Sequence, residues 1–287
     1  MKKLSTIVAV GLVACFAFTS VAAAAGEKPS TDQDYEFKAF TGSKPGKVAK
    51  KGSVGGYLHP FHDNTWPGTS DKTTGSAQVT PPFATTYAYV YLDKNLTFNP
   101  GAFPGCSLDK VLALDPGKAG APAGCPKESL LGSGKAYGFV RTTNQPAGQI
   151  TTSAELQDRL FASGQKNLVY LYTYSELAKA NVILGQISKG SGKYGTQIRF
   201  LLPKGLISPV SGIISQLTDF STTIPAQSYK GKALLTLKKC SGGKINSGFQ
   251  NNYSGNAEVK PGVNPVDGDD YVVTDKSAVI NRTAKCK

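Results

Sequence analysis

Apolar and polar side chains alternate with a period of two in short runs along most of this chain, the spacing of strands whose two faces differ. Residues 85–92 show it most clearly: Tyr87, Tyr89 and Tyr91 fall on one face and Ala88, Val90 and Leu92 on the other. Both faces are apolar or aromatic, which places such a strand centrally in a sheet covered on both sides. Residues 167–174 repeat the pattern, with Leu168, Tyr170 and Tyr172 opposite Val169 and Leu171. Residues 182–187 and 194–202 flank a turn at 188–193 and read as a hairpin that Pro203 ends. Tyr35, Phe37 and Phe40 open an earlier strand, 44–52 is a basic turn region, and 54–58 pairs back. Threonine, glycine, proline and aspartate dominate 59–82, which is expected to be an irregular connection. Further strands are expected at 212–220, 233–239, 248–253, 271–274 and 277–283.

One helix interrupts this series. Thr152 and Glu155 have capping-box spacing, Leu156 and Leu160 share a helical face, and Gly164 supplies a stop, so 154–162 is predicted as a short surface helix. Thirty-two glycines, seventeen prolines and thirteen each of tyrosine and phenylalanine favour short strands joined by turns. The fold class that follows is all-β: a two-sheet antiparallel β-sandwich with one short surface helix, stapled by two disulfides.

The N-terminus reads as a leader. Lys2 and Lys3 precede an apolar stretch from Leu4 to about Phe18, and small residues run from Val21 to Ala25. Residues 1–25 are therefore taken as a signal peptide, 26–33 as a polar tether and 34–287 as a single β-sandwich domain. Leu12, Val13, Ala14 and Cys15 also fit a lipoprotein signal, which would anchor the chain through Cys15. Phe16, Ala17 and Phe18 stay apolar where a lipidated cysteine is followed by a polar tether, and this favours simple secretion. No other stretch has the ~18 apolar residues that span a bilayer.

Beyond the leader, Cys106, Cys125, Cys240 and Cys286 form an even set, as expected for an exported protein in an oxidising compartment. Four cysteines permit three connectivities. Local pairing is preferred, because Cys106 and Cys125 bracket a glycine- and proline-rich loop and Cys240 with Cys286 would tie down the C-terminus. A zinc site is disfavoured by the absence of any Cys-x-x-Cys pair.

The formal charge of +13 falls by two with the leader and stays strongly basic. This favours an anionic cell-wall polymer or polysaccharide as partner. Lysines are spread along the chain without a basic run or interleaved aromatics, so nucleic acid is not an expected partner.

The cysteine contexts carry a resemblance. Phe98, Asn99 and Pro100, then Phe103, Pro104, Gly105 and Cys106, then Cys125, Pro126, Lys127, Ser129, Gly132, Ser133, Gly134 and Ala136 follow in order. Lys239, Cys240, Gly242, Gly243 and Lys244 precede Phe249 and Tyr253. This arrangement resembles a group of secreted actinobacterial proteins with a cysteine loop and a C-P-x-x-S-x-x-G-x-G element. The resemblance implies secretion and a β-sandwich, and it offers no catalytic residues to carry over.

Candidate chemistry is sparse. His59 and His62, in His-Pro-Phe-His-Asp with Asp63, are the chain's two histidines, so any Ser-His-Asp or Cys-His mechanism must use one of them. Proline between them prevents the helical i, i+4 presentation of zinc hydrolases. Asn264, Asp267, Asp269 and Asp270 are hard-oxygen candidates for calcium without EF-hand spacing. Gly190, Gly192 and Gly195 match G-x-G-x-x-G but stand between two strands, and are read as hairpin glycines. Among six glutamates no pair is singled out for glycoside hydrolysis. No cofactor is expected. Two functions remain in view: a non-catalytic exported protein that binds or decorates an anionic or carbohydrate cell-surface component, and a secreted hydrolase using His59, His62 and Asp63 or a carboxylate pair.

Overall fold

The computed structural model describes residues 33–62, 84–118, 120–142, 152–176, 179–254, 259–261, 269–273 and 275–287. The proposed leader lies outside the described residues. Eleven strands build the frame: β1 (Gln33–Thr41), β2 (Gly55–His62), β3 (Ala84–Asp93), β4 (Leu130–Thr142), β5 (Thr152–Ala162), β6 (Leu168–Ser175), β7 (Lys179–Lys189), β8 (Tyr194–Leu201), β9 (Ile213–Ile224), β10 (Lys244–Ser254) and β11 (Ile280–Lys285). They pair antiparallel in one continuous sheet of order β11-β10-β3-β8-β7-β6-β5-β4-β9-β2-β1. Strands β4 to β8 form an unbroken meander in which sequence neighbours pair antiparallel.

The sheet curls until its ends meet. Strand β1 lies alongside β11 without a ladder between them, and side chains close the seam. Tyr35 Oη lies 2.8 Å from Ser247 Oγ and its ring stacks on Phe249 at 5.5 Å. Tyr253 Oη donates to Gln33 Oε1 at 2.8 Å, and Arg282 pairs with Asp34. The expected all-β, antiparallel architecture with two disulfides is thus present. Its two facing layers are halves of one bent sheet, so Val90 on β3 and Phe220 on β9 line the same interior space. Twist and coiling of a long antiparallel sheet produce this curvature.

Both ends of the interior are covered. A three-stranded sheet of Gly52–Ser53, Leu235–Leu237 and Leu96–Phe98 supplies Leu96, Phe98 and Leu235 at one end. At the other, helix α2 (Lys204–Ile207) supplies Leu206 and Ile207, while helix α1 (Leu108–Leu112) lies outside the sheet. The loop bearing α1 is pinned by Cys106–Cys125 and covers Phe161, Tyr170, Tyr172 and Leu184 on the outside of the sheet, which makes a second small core. This explains why both faces of β6 are apolar. Cys240–Cys286 holds the C-terminus, and Lys287 N–H donates to Ala49 O at 2.9 Å.

The helix expected at 154–162 is instead strand β5. Leu156 and Leu160 are four apart, a spacing that satisfies both a helical turn and two strand repeats. Ten ladder partners on β4 and six on β6 select the strand, tertiary pairing overriding local propensity. Strand β4 was not expected at all, because its glycines at 132, 134 and 138 weaken the strand signal. Its neighbours demand two of them: a Cβ at Gly134 would stand 1.7 Å from Ser221 O on β9, and one at Gly132 2.7 Å from Thr223 O. The irregular connection expected at 59–82 begins later, since β2 runs on through His62.

Candidate functional site

Inward-facing residues of the curled sheet do not fill its centre. A chamber of about 70 Å³ is lined by residues of every strand from β2 to β10 and of helix α2. A second, of about 40 Å³, lies toward the three-stranded sheet, and Leu58, Val90, Leu171, Phe200 and Phe220 line both. Small residues at inward positions leave the space: Ala88 on β3, Ala136 and Gly138 on β4. The walls are otherwise apolar, so the void lacks the polar partners that would hold water well.

One place departs from this rule. On β5, Leu156, Asp158 and Leu160 face inward while Glu155 and Gln157 face solvent. Asp158 is 2 % exposed, and the residue directly opposite it on β6 is Thr173, also 2 % exposed. Both line the larger chamber, as does Thr85 on β3. Asp158 Oδ2, Thr173 Oγ1 and Thr85 Oγ1 are buried and make no well-formed hydrogen bond, the Thr173 hydroxyl lying close enough to the Asp158 carboxyl only to favour its ionised form somewhat. Burial pushes the Asp158 carboxyl up to about 8, and the nearby Thr173 hydroxyl offsets only part of that rise. An unsatisfied buried polar group costs roughly 1–3 kcal/mol and a charged one more, so three around one void form a destabilising cluster in the empty chain.

Contrast with Asp93 shows what a satisfied buried carboxylate looks like here. Asp93, also 2 % exposed, accepts from the N–H and Nδ2 of both Asn95 and Asn246 at 2.7–2.9 Å. Burial would raise its pKa, yet those four bonds bring it below the ordinary value. Asp93 is a structural clamp between β3 and the start of β10; Asp158 has no such set.

The residues singled out in the sequence fall elsewhere. His59 faces outward from β2, its Nε2 donating to the Asp219 carboxylate of β9 at 3.1 Å to each oxygen. Glu36 of β1 stands 3.6 Å from Nδ1, and the ring of Phe61 lies 4.7 Å away. The Glu36 carboxyl is held below its ordinary value by Lys38 first and by His59 to a lesser degree. The carboxylates that meet His59 therefore come from β1 and β9. His62 ends β2, and Asp63 lies outside the described residues. Asn264 and Asp267 also lie outside them, while Asp269 and Asp270 belong to a short strand, Asp269–Tyr271, whose side chains are not described. Among the described residues no group of three or more histidine, cysteine, aspartate or glutamate side chains is arranged to hold a metal ion. The glycines at 190, 192 and 195 make the β7–β8 turn, where Gly190 N–H donates to Gly195 O at 3.1 Å and Gly192 takes φ 60°.

The outer face of β3 carries a second feature. Tyr89 and Tyr91 stack with ring centroids 6.4 Å apart, and Tyr194 of β8 continues the row at 5.3 Å from Tyr91. Tyr91 Oη donates to Gln250 Oε1 at 2.9 Å, Asn252 Nδ2 donates to Tyr89 Oη at 3.3 Å, and Arg199 lies 5.7 Å over the ring of Tyr87. The face is a half-buried aromatic row edged by amides and one guanidinium.

Comparison with known families, with curated proteins and with solved structures gives no match. The class is therefore set by architecture and site: an all-β chain whose curled sheet encloses an apolar chamber with an unsatisfied acidic end. Asp158 was missed because an acid between two leucines conceals the strand that carries it. The available signal was the alternation Ala154, Leu156, Asp158, Leu160, Ala162, in which one position of an apolar face is charged.

Proposed function

We propose that this chain is an exported, non-catalytic binding protein that holds a small, mostly apolar molecule inside its curled sheet. The observation that carries this reading is the set of three buried polar atoms on Asp158, Thr173 and Thr85 that make no well-formed hydrogen bond around an otherwise apolar chamber. Such a site gives a ligand an apolar body to bury and a polar point to fix its orientation, the usual composition of a small-molecule pocket. Size limits the ligand. An apolar cavity of about 150 Å³ accommodates benzene, and the two adjoining chambers together are of that order, so a six-carbon chain is the appropriate scale. Two disulfides and a leader-like N-terminus support export, since such bridges persist in oxidising compartments. Among the described residues no helix is long and apolar enough to cross a membrane.

Hexanol is a suitable probe. It is expected to raise the thermal unfolding midpoint of the full-length mature chain, because a ligand that binds only the folded state stabilises it. The Ala136→Leu variant, which fills the chamber from β4, is expected to lose that response while remaining folded. A wild-type midpoint indifferent to six-carbon probes would remove the reading.

The aromatic row of Tyr89, Tyr91 and Tyr194 supports a second reading, binding of a cell-surface carbohydrate on the outer face of β3 and β8. Aromatic rings offer apolar faces to sugar rings, and Gln250 and Arg199 supply polar groups beside them. Retention on isolated cell wall that is abolished in Tyr91→Ala would support it; equal retention of both proteins would count against it.

A further inference from the structure

The chamber has one charged group and no counterpart. Asp158 is the sole titratable side chain in its lining among the described residues. The residues opposite Asp158 in the two ladders, Gly134 on β4 and Thr173 on β6, are neutral, and so are the other residues that line the chamber, among them Thr85 from β3 and Leu206 and Ile207 from α2. The thin hydroxyl supply, from Thr173, Thr85 and Ser215, can accept a hydrogen bond as readily as donate one. Nothing in the lining can neutralise an incoming anion, and once Asp158 is ionised an anion beside it would add a like charge in a medium of low dielectric.

We infer that the interior site selects an amine: the ligand is a small alkyl ammonium whose nitrogen donates to Asp158 Oδ2 and Thr173 Oγ1 while its carbon chain lies against Leu58, Val90, Leu171 and Phe200. This rests on the small-ligand reading above and adds the chemistry of the head group. An ammonium has three N–H donors and a positive charge, so it meets the carboxylate and the facing hydroxyl together. The Asp158 carboxyl is already out of water, so an incoming cation takes the place of its proton rather than of a hydration shell. A neutral hydroxyl satisfies the hydrogen bonds without the charge, and a carboxylate can accept from the protonated acid but gains no opposite charge.

The inference carries a proton balance. Below about pH 8 the buried carboxyl of the empty protein holds a proton, whereas the bound ammonium requires it ionised. Binding an ammonium near pH 6.5 therefore releases close to one proton per ligand to the buffer. Affinity rises about tenfold per pH unit from pH 6 to 7 and levels off above 8.

Hexylamine, hexanol and hexanoate share a chain and differ in the head, so calorimetric titration of the full mature chain with each separates the possibilities. The expected result is an order of hexylamine, then hexanol, then hexanoate, with hexylamine at least tenfold tighter than hexanoate. Repeating the hexylamine titration in two buffers of different ionisation enthalpy is expected to show about one proton released, and hexanol none. Asp158→Asn, its fold checked by circular dichroism, is expected to lose both the amine preference and the proton release. Thr173→Val, which leaves the carboxyl in place, should weaken hexylamine while preserving proton release. Hexanol or hexanoate binding as tightly as hexylamine, or hexylamine binding without proton release, would overturn the amine inference and leave the small-ligand reading standing. Binding of none of the three would remove the small-ligand reading, and the amine inference with it.

Discussion

Changing Asp158 to asparagine isolates the energetic cost of one buried carboxyl. In the folded chain burial holds this group's pKa at about 8, whereas an unfolded aspartate titrates near ~4. Between those values the folded state carries one proton more than the unfolded state, so raising the pH favours unfolding. The stability is complete below about pH 4 and is lost as pH climbs toward 8. Each pH unit in the window is worth ~1.4 kcal/mol, so the rise from pH 5 to pH 8 removes about 4 kcal/mol, a large share of the 5–15 kcal/mol typical of a folded domain. Glu36, Asp93 and Glu155 have lowered pKa values and act in the opposite sense. Their contribution is lost as pH falls through values below the ordinary carboxylate range, so it is nearly constant above pH 5. Urea unfolding with the disulfides intact, at pH 5, 6, 7 and 8, reads the effect as a falling midpoint at constant slope. Asparagine is neutral throughout, so the variant is expected to hold its midpoint over the same range while wild type drops by about 4 kcal/mol. Parallel pH profiles of the two proteins would refute the reasoning, since the carboxyl would then be hydrated or paired.

Other parts of the molecule yield sharper structural outcomes. Asp93→Ala deletes a carboxylate that accepts four bonds and leaves Asn95 and Asn246 unsatisfied, and is expected to cost about 3 kcal/mol or more by urea unfolding at pH 7. Joint replacement of Cys240 and Cys286 by serine opens a closure spanning 46 residues and should lower stability by about 4 kcal/mol, against about 3 kcal/mol for the 19-residue closure at Cys106 and Cys125, with the order of the two as the check. Loss of the shorter bridge is further expected to expose Tyr170 and Tyr172 beneath the α1 loop, seen as faster proteolysis within 106–125 while the frame survives. His59→Ala breaks contacts to Asp219 and Glu36 on the outer face, and hexanol binding is expected to be unchanged in a thermal-shift assay.

Much of the frame was legible along the chain. The two-faced pattern of 85–92 and 167–174 and the hairpin at 182–202 correspond to β3, β6, β7 and β8, because residues two apart in a strand meet the same environment whatever their neighbours. The cysteine pairs were readable too, since a short glycine- and proline-rich loop between two cysteines brings them together cheaply. Harder to read was β4, whose glycines answer to the close approach of β9 at Ser221 O and have no local meaning. The helix expected at 154–162 shows the same limit: Leu156 and Leu160 fit both periods, and only strands β4 and β6, one on each side, select between them.

Period-two patterning, a basic surface and an even set of cysteines belong to local chemistry and composition, and they were enough to establish an all-β chain stapled by disulfides. Curvature is a different kind of property. Whether the sheet ends meet, whether the middle stays empty and which side chains face the void depend on residues more than a hundred positions apart, such as Tyr35 against Ser247 and Val90 opposite Phe220. Asp158 takes its meaning there alone: exposed it would be an ordinary surface acid, and enclosed among leucines it becomes the unsatisfied group around which a ligand site can form.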